Sequence, residues 1–159
     1  MVQFGLLCLV LPIAGKERVR VTEILVIDGH GGGLGKLIIA ALREENAGYH
    51  IHAVGVNAIA TAAMLRAGAD TAATGENAVI VGCRNAEIIT GPIGIVIADS
   101  MHGEITPKLA TAIGQARAKR VLVPMNQCDN IIVGVLDQPI GQAVQGVIRA
   151  VRQITGEQT

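Results

Sequence analysis

The strongest alternation of apolar and polar positions in this chain lies between residues 23 and 45. A continuous apolar run, Ile24-Leu25-Val26-Ile27, ends at Asp28, and after a glycine-rich stretch apolar residues return at 34, 37, 38, 41 and 42. An unbroken Ile/Leu/Val run is the mark of a strand buried on both faces, as in a parallel sheet, and the second spacing is that of a helix with one apolar stripe. Residues 50–56 predict a second strand. Asn57 is placed to cap a helix over 58–67, which Gly68 ends. Strand, helix, strand in this order form a βαβ unit, whose crossover is expected to be right-handed.

The rest of the chain is patterned less sharply. Thr74-Gly75-Glu76-Asn77 reads as a loop, 78–86 as either helix or strand, 87–90 as a strand running into Gly91-Pro92-Ile93-Gly94, and 94–98 as either strand or helix. Thr106-Pro107 opens a clearer helix to about Ala118, with Thr106 at the N-cap and Pro107 in the first turn. Two apolar runs, 120–123 and 131–135, are separated by too short a connection for a helical crossover, which predicts an antiparallel hairpin at the sheet edge. A last helix is expected over 139–154. The fold expected is a single three-layer, Rossmann-like α/β domain over 21–159, mostly parallel with that antiparallel edge.

Composition narrows the function. The 159 residues carry a formal net charge of zero, and aromatics make up 1%, with Phe4 and Tyr49 the sole examples. A nucleic-acid platform needs a basic surface and stacking rings, so nucleic acid is not an expected partner. Half of the residues are hydrophobic, and a neutral, apolar small domain tends to self-associate, so a homo-oligomer is expected. The cysteines, Cys8, Cys83 and Cys128, are odd in number and widely spaced. They form no disulfide framework or zinc ribbon, which suits a reduced cytoplasmic protein. The apolar stretch 2–14 is too short to span a bilayer, which takes ~20 residues. It also lacks the basic start and cleavage site of a signal peptide. Residues 1–20 are read as an extension, with translation expected to start near Val21; a mature chain beginning at Met1 would contradict this.

The chemistry centres on the stretch after the first strand. Gly29-His30-Gly31-Gly32-Gly33-Leu34-Gly35 contains five glycines in seven residues. A strand, glycine loop and helix in succession present backbone N–H groups and the positive end of a helix to a phosphate. The strict G-x-G-x-x-G pattern is not met, because its third glycine would fall on Leu34. The spacing Gly29-x-x-x-Gly33-x-Gly35 resembles the cofactor loop of short-chain dehydrogenases. Lys36-Leu37 lacks the hydroxyl residue of an ATP-binding P-loop. The ribose-binding acid expected after the second strand is replaced by Asn57. The Tyr-x-x-x-Lys pair of the dehydrogenases is absent: Tyr49 is followed four residues later by Ala53. A bound nucleotide or dinucleotide of NAD(P) type is therefore expected from the loop, without that catalytic chemistry.

In open α/β sheets, polar residues at the carboxyl ends of strands converge on the ligand. On that basis Asp28, Gly29, His30, Gly31, Gly32, Gly33, Leu34, Gly35, Asn57, Gly91, Pro92 and Asn126 are candidate ligand-binding residues. His102, oriented by Asp99 or Glu104, is the candidate general base. The competing reading for Asp28 is a cap on the loop's own N–H groups. For His102 it is a surface histidine, and for Cys128, which His102 could activate, a small buried thiol. His50 and His52 share one strand face but lack a third metal ligand nearby, so no metal is expected.

Taken together, the segments Ile27 to Lys36, Ala73 to Ala78, Gly91 to Ser100, Gly103 to Thr106, Pro124 to Cys128 and Asn130 to Val135 resemble a bacterial domain family of unknown function, DUF3842. The resemblance runs from about Val21 to the last helix. It implies a small α/β protein whose members usually begin near residue 22, and it brings no catalytic roles. The family loop commonly has Gln where this chain has His30. Three functions stay open: an NAD(P)-dependent oxidoreductase, a non-catalytic nucleotide sensor or partner-binding protein, and a hydrolase or transferase of a phosphorylated small molecule.

Overall fold

The structure, a computed structural model, describes residues 21–45, 48–125, 130–135 and 138–156. The expectations for residues 1–20, for Asn126 and for Cys8 and Cys128 lie outside the described residues.

Among the described residues, five strands form one sheet: β1 (Glu23–Asp28), β2 (His50–Gly55), β3 (Thr71–Thr74), β4 (Ile88–Pro92) and β5 (Lys119–Val123). Their spatial order is β3-β2-β1-β4-β5, and every neighbouring pair is parallel. The helices are α1 (Gly33–Glu45), α2 (Ala58–Arg66), α3 (Glu76–Asn85), α4 (Pro107–Gln115) and α5 (Ile140–Thr155), with a 3-10 turn at Ile93–Val96. This is the Rossmann-like α/β architecture.

The continuous apolar run of β1 explains its central place. Ile24 and Val26 face one way, into a core with Ile38, Leu42, Met64, Val144 and Ile148 from α1, α2 and α5. Leu25 and Ile27 face the other way, into a core with Val79, Cys83, Leu109 and Ile113 from α3 and α4. A strand covered on both sides has no polar face to alternate with. Two pairs tie outer elements down: Arg152 on α5 to Glu45 on α1, and Arg43 to Asp70.

The predicted caps form. The Asn57 side chain accepts from the Ala60 N–H at 2.9 Å, and Thr106 accepts from Leu109 at 3.1 Å with Pro107 in the first turn. Two expectations need correction. Residues 71–74, partly read as loop, form β3, whose Thr-Ala-Ala-Thr sequence is too short and too poor in large apolar residues to show a period. The antiparallel hairpin over 131–135 is not formed: these residues make no strand, and the chain turns at Val133-Gly134, with Gly134 at φ 86°. All described sheet neighbours are parallel.

Cys83 is buried on α3, and burial pushes its thiol up from 9.0 to about 11. It should therefore hold about a hundredfold less thiolate at neutral pH than an ordinary cysteine. Peptide mapping after brief iodoacetamide treatment should find Cys83 protected in the folded protein and labelled after denaturation. Rapid native labelling would contradict the burial.

Candidate functional site

The strand order reverses direction at β1. The chain leaves β1 towards β2 and β3 on one side and later returns to place β4 and β5 on the other. Loops after β1 and β4 depart to opposite faces, and the gap between them is the usual ligand crevice of such a sheet. The β1 loop leads to α1, and the β4 segment leads towards α4 on the opposite face. A cavity of about 250 Å³ lies here, lined by Asp28, Gly29, His30, Gly31, Gly33 and Leu34 on one side and by Pro92, Met101, Met125 and Ile140 on the other.

The five glycines of the loop divide into two kinds. A Cβ at Gly29 would come within 3 Å of Glu104, Met101 and Val56; one at Gly35 would meet the Met64 sulfur at 2.5 Å. At Gly32 it would lie 2.8 Å from the Ala60 backbone, and φ there is +67°. Helix packing and the turn require these three. Gly31 and Gly33 have nothing within 4 Å of a Cβ, and both line the cavity.

The N–H groups divide the same way. The Asp28 carboxylate accepts from Gly29 at 2.8 Å and from Gly35 at 2.7 Å. Burial pushes the Asp28 carboxyl above its ordinary value, although the N–H groups of Gly35 and Gly29 pull the other way. Gly32 N–H donates to the Gly29 carbonyl, and Lys36 N–H to Gly32. His30 N–H donates to Glu104 at 2.7 Å. The N–H groups of Gly31 and Gly33 find no acceptor among the described residues. Asp28 thus holds the loop from beneath, and two backbone donors, Gly31 in the turn before α1 and Gly33 at its first residue, have no acceptor among the described residues.

A second loop, 97–105, lies over this one. Asp99 N–H donates to the Ile105 carbonyl at 2.7 Å, which closes the loop on itself, and Ser100 Oγ donates to the Gly94 carbonyl at 2.6 Å, which ties it to the 3-10 turn. Asp99, Met101 and His102 have φ of 63°, 54° and 56°, and His30 across from them has 48°. Such left-handed non-glycine residues cost roughly 1 kcal/mol or more each and cluster where structure serves a site. The His30 and His102 rings stack with centroids 5.3 Å apart. His102 and Asp99 are exposed, and no hydrogen bond joins His102 to Asp99 or Glu104. The ring contact of His102 in the structure is therefore with His30, not with either acid.

Seven of the sequence-predicted ligand residues, Asp28, Gly29, His30, Gly31, Gly33, Leu34 and Pro92, line the cavity. Gly32 and Gly35 are used in packing. Gly91 lies against the Ile27 carbonyl. Asn57 caps α2 and bonds to Glu104 at 2.9 Å. The apolar wall of Met101, Met125 and Ile140 escaped sequence reasoning. The start of α5 near 139 was legible, but not that it would face the glycine loop across the sheet edge. No group of His, Cys, Asp or Glu among the described residues is arranged to hold a metal. His50 pairs with Glu23 at 2.6 Å and His52 bonds to Thr71 at 2.7 Å. No described helix is long and apolar enough to cross a membrane.

A family model described as a domain of unknown function (DUF3842) matches residues 23–156. No curated protein matches the chain. Among solved structures, the chain is similar to a dodecameric FMN-dependent UbiX-like decarboxylase from Escherichia coli O157:H7, with 18% identity over 86% of this chain and 95% of that one and a TM-score of 0.45. It is also similar to levodione reductase, with 18% identity over 87% of this chain and 67% of that one and a TM-score of 0.42.

Proposed function

The chain belongs to the DUF3842 family, a domain of unknown function, and from its own geometry we propose that it binds a phosphorylated nucleotide-type ligand in the crevice between β1 and β4. The phosphate would sit on the N–H groups of Gly31 and Gly33, at the positive end of α1. The ring system would lie against Leu34, Met101, Met125 and Ile140.

One observation carries this reading. Packing accounts for Gly29, Gly32 and Gly35, whereas Gly31 and Gly33 are glycine without any neighbour that demands it, and both border the cavity with unused N–H groups. A side chain there would fill the space a phosphate needs. The donor set suits a phosphate bound by backbone dipoles, since among the described residues no Lys or Arg side chain lines the cavity. The ligand would supply any redox or transfer chemistry; the residues named here bind and orient it, and the apolar wall excludes water from its ring.

Gly33→Val tests the site. The space beside Gly33 is open, and its φ is not in the left-handed region, so the variant should keep the wild-type melting temperature, with ΔΔG within about 1 kcal/mol. Calorimetric titration with AMP, FMN and NAD should then show binding in the wild type and its loss in the variant. Equal affinity in both would refute the site.

A further inference from the structure

We propose that Glu104 closes the β2 half of the crevice, so that the site accepts a mononucleotide and rejects dinucleotides. The inference rests on the nucleotide-binding reading and specifies its ligand class.

A dinucleotide in a sheet of this order lies across the carboxyl edge. One nucleoside rests on the β2 side, where its ribose meets the first polar residue after β2, and the pyrophosphate crosses the glycine loop. In this chain the two polar side chains at that point, Asn57 and Glu104, are already paired. Asn57, just after β2, uses its side-chain oxygen to cap α2, and its Nδ2 donates to the His30 carbonyl and to Glu104 Oε1, both at 2.9 Å. The other Glu104 oxygen, Oε2, accepts the His30 N–H at 2.7 Å. The carboxylate therefore joins the loop after β1 to the residue after β2, across the strand ends. It also places a negative charge beside the backbone that a pyrophosphate would cross.

Glu104 is held there. Its own N–H donates to the Met101 carbonyl at 3.2 Å. Ile105, next in the chain, is fully buried and bonded through its carbonyl to Asp99. Gly29 has no room for a Cβ because Glu104 and Met101 press on it. What stays open is the β4 side, about 250 Å³, just under the roughly 300 Å³ at which ligand pockets usually begin. The open donors, Gly31 and Gly33, lie on that side. One phosphate and one ring can be served there, whereas a second nucleoside would meet Asn57 and Glu104 with their hydrogen-bonding atoms already engaged.

Calorimetric titration of the full chain with AMP, FMN and NAD separates the possibilities. The wild type should bind AMP or FMN more tightly than NAD by about tenfold to a hundredfold, the range set by the loss of one charge-assisted hydrogen bond of Glu104 to an entering dinucleotide. In Glu104→Ala, confirmed as folded by its melting transition, that preference should fall to within about threefold because the carboxylate is gone. NAD binding to the wild type as tightly as the mononucleotides would overturn the proposal, as would an unchanged preference in folded Glu104→Ala. The wild-type comparison decides the matter even if that variant does not fold. Failure of the underlying reading looks different: no nucleotide binds, or binding is indifferent to Gly33→Val, and the proposal falls with it.

Discussion

Gly91→Ala is expected to cost about 3 kcal/mol or more, since inserting an atom into a packed position that cannot yield is the severe form of overpacking. That is a large share of the roughly 5–15 kcal/mol by which a domain is stable. A Cβ at Gly91 would fall well inside contact distance of the Ile27 carbonyl oxygen, on the central strand β1. The obstacle is backbone, which cannot rotate away as a side chain would. The β1–β4 ladder runs from Ile24↔Ile88 to Val26↔Thr90, so Gly91 stands where the strands begin to part and the crevice opens. To admit a methyl group the strands must separate there, disturbing Asp28 and Pro92 on either side. Gly32→Ala should be milder but still destabilising, because φ is +67° and the Ala60 backbone lies at 2.8 Å. Gly33→Ala should be neutral or slightly stabilising. Urea denaturation midpoints should fall in that order, Gly91→Ala lowest. A wild-type midpoint for Gly91→Ala would show that the strands are not in such close contact.

That ordering bears on what the sequence made legible. β1, the glycine loop and α1 were readable because one uninterrupted apolar run and one helical stripe adjoin there, and the caps at Asn57 and Thr106 were readable because each is a short-range hydrogen bond. Counting glycines, however, overstated the ligand signal, since three of the five answer to Ala60, Met64 and Glu104, which lie far away in sequence. The false hairpin has a related cause. Ile131, Ile132, Val133 and Val135 have strand-like composition, but composition does not supply a partner strand: Ile131 and Val133 are 93% and 94% exposed, and the turn at Gly134 is closed by Val135 N–H to the Ile132 carbonyl. The contact of Glu104 with His30 spans 74 positions. No local period encodes such a contact; it follows from packing the 97–105 loop against Ile27 and Val54 on the α3/α4 face.

Asp28→Ala should be nearly as damaging as Gly91→Ala, for a reason of charge and hydrogen bonding. Its carboxylate is 5% exposed and is the acceptor for the buried N–H groups of Gly29 and Gly35. Removing it leaves two buried donors without a partner, at about 1–3 kcal/mol each, so a loss of roughly 2–6 kcal/mol is expected, with the glycine loop the first part to loosen. Asp28→Asn separates the charge from the shape, because an amide can accept one N–H but turns its own donor towards the other. The pH dependence gives the decisive comparison. Burial raises the folded-state value of Asp28 above 3.8, so the folded protein binds this proton more tightly than the unfolded chain does. The stability this group contributes through protonation is complete below about pH 3.8 and is lost as pH rises through the raised folded value. Asp28→Asn lacks this titration, and all other groups cancel between the two proteins. The stability gap in favour of the wild type should therefore widen as pH falls through that window, measured by urea unfolding at a series of pH values. A gap that narrows instead would mean that the N–H groups of the loop outweigh burial and hold the carboxylate ionised. Asp28 would then act as an anion already bound at the start of α1, in direct competition with a phosphate for the loop.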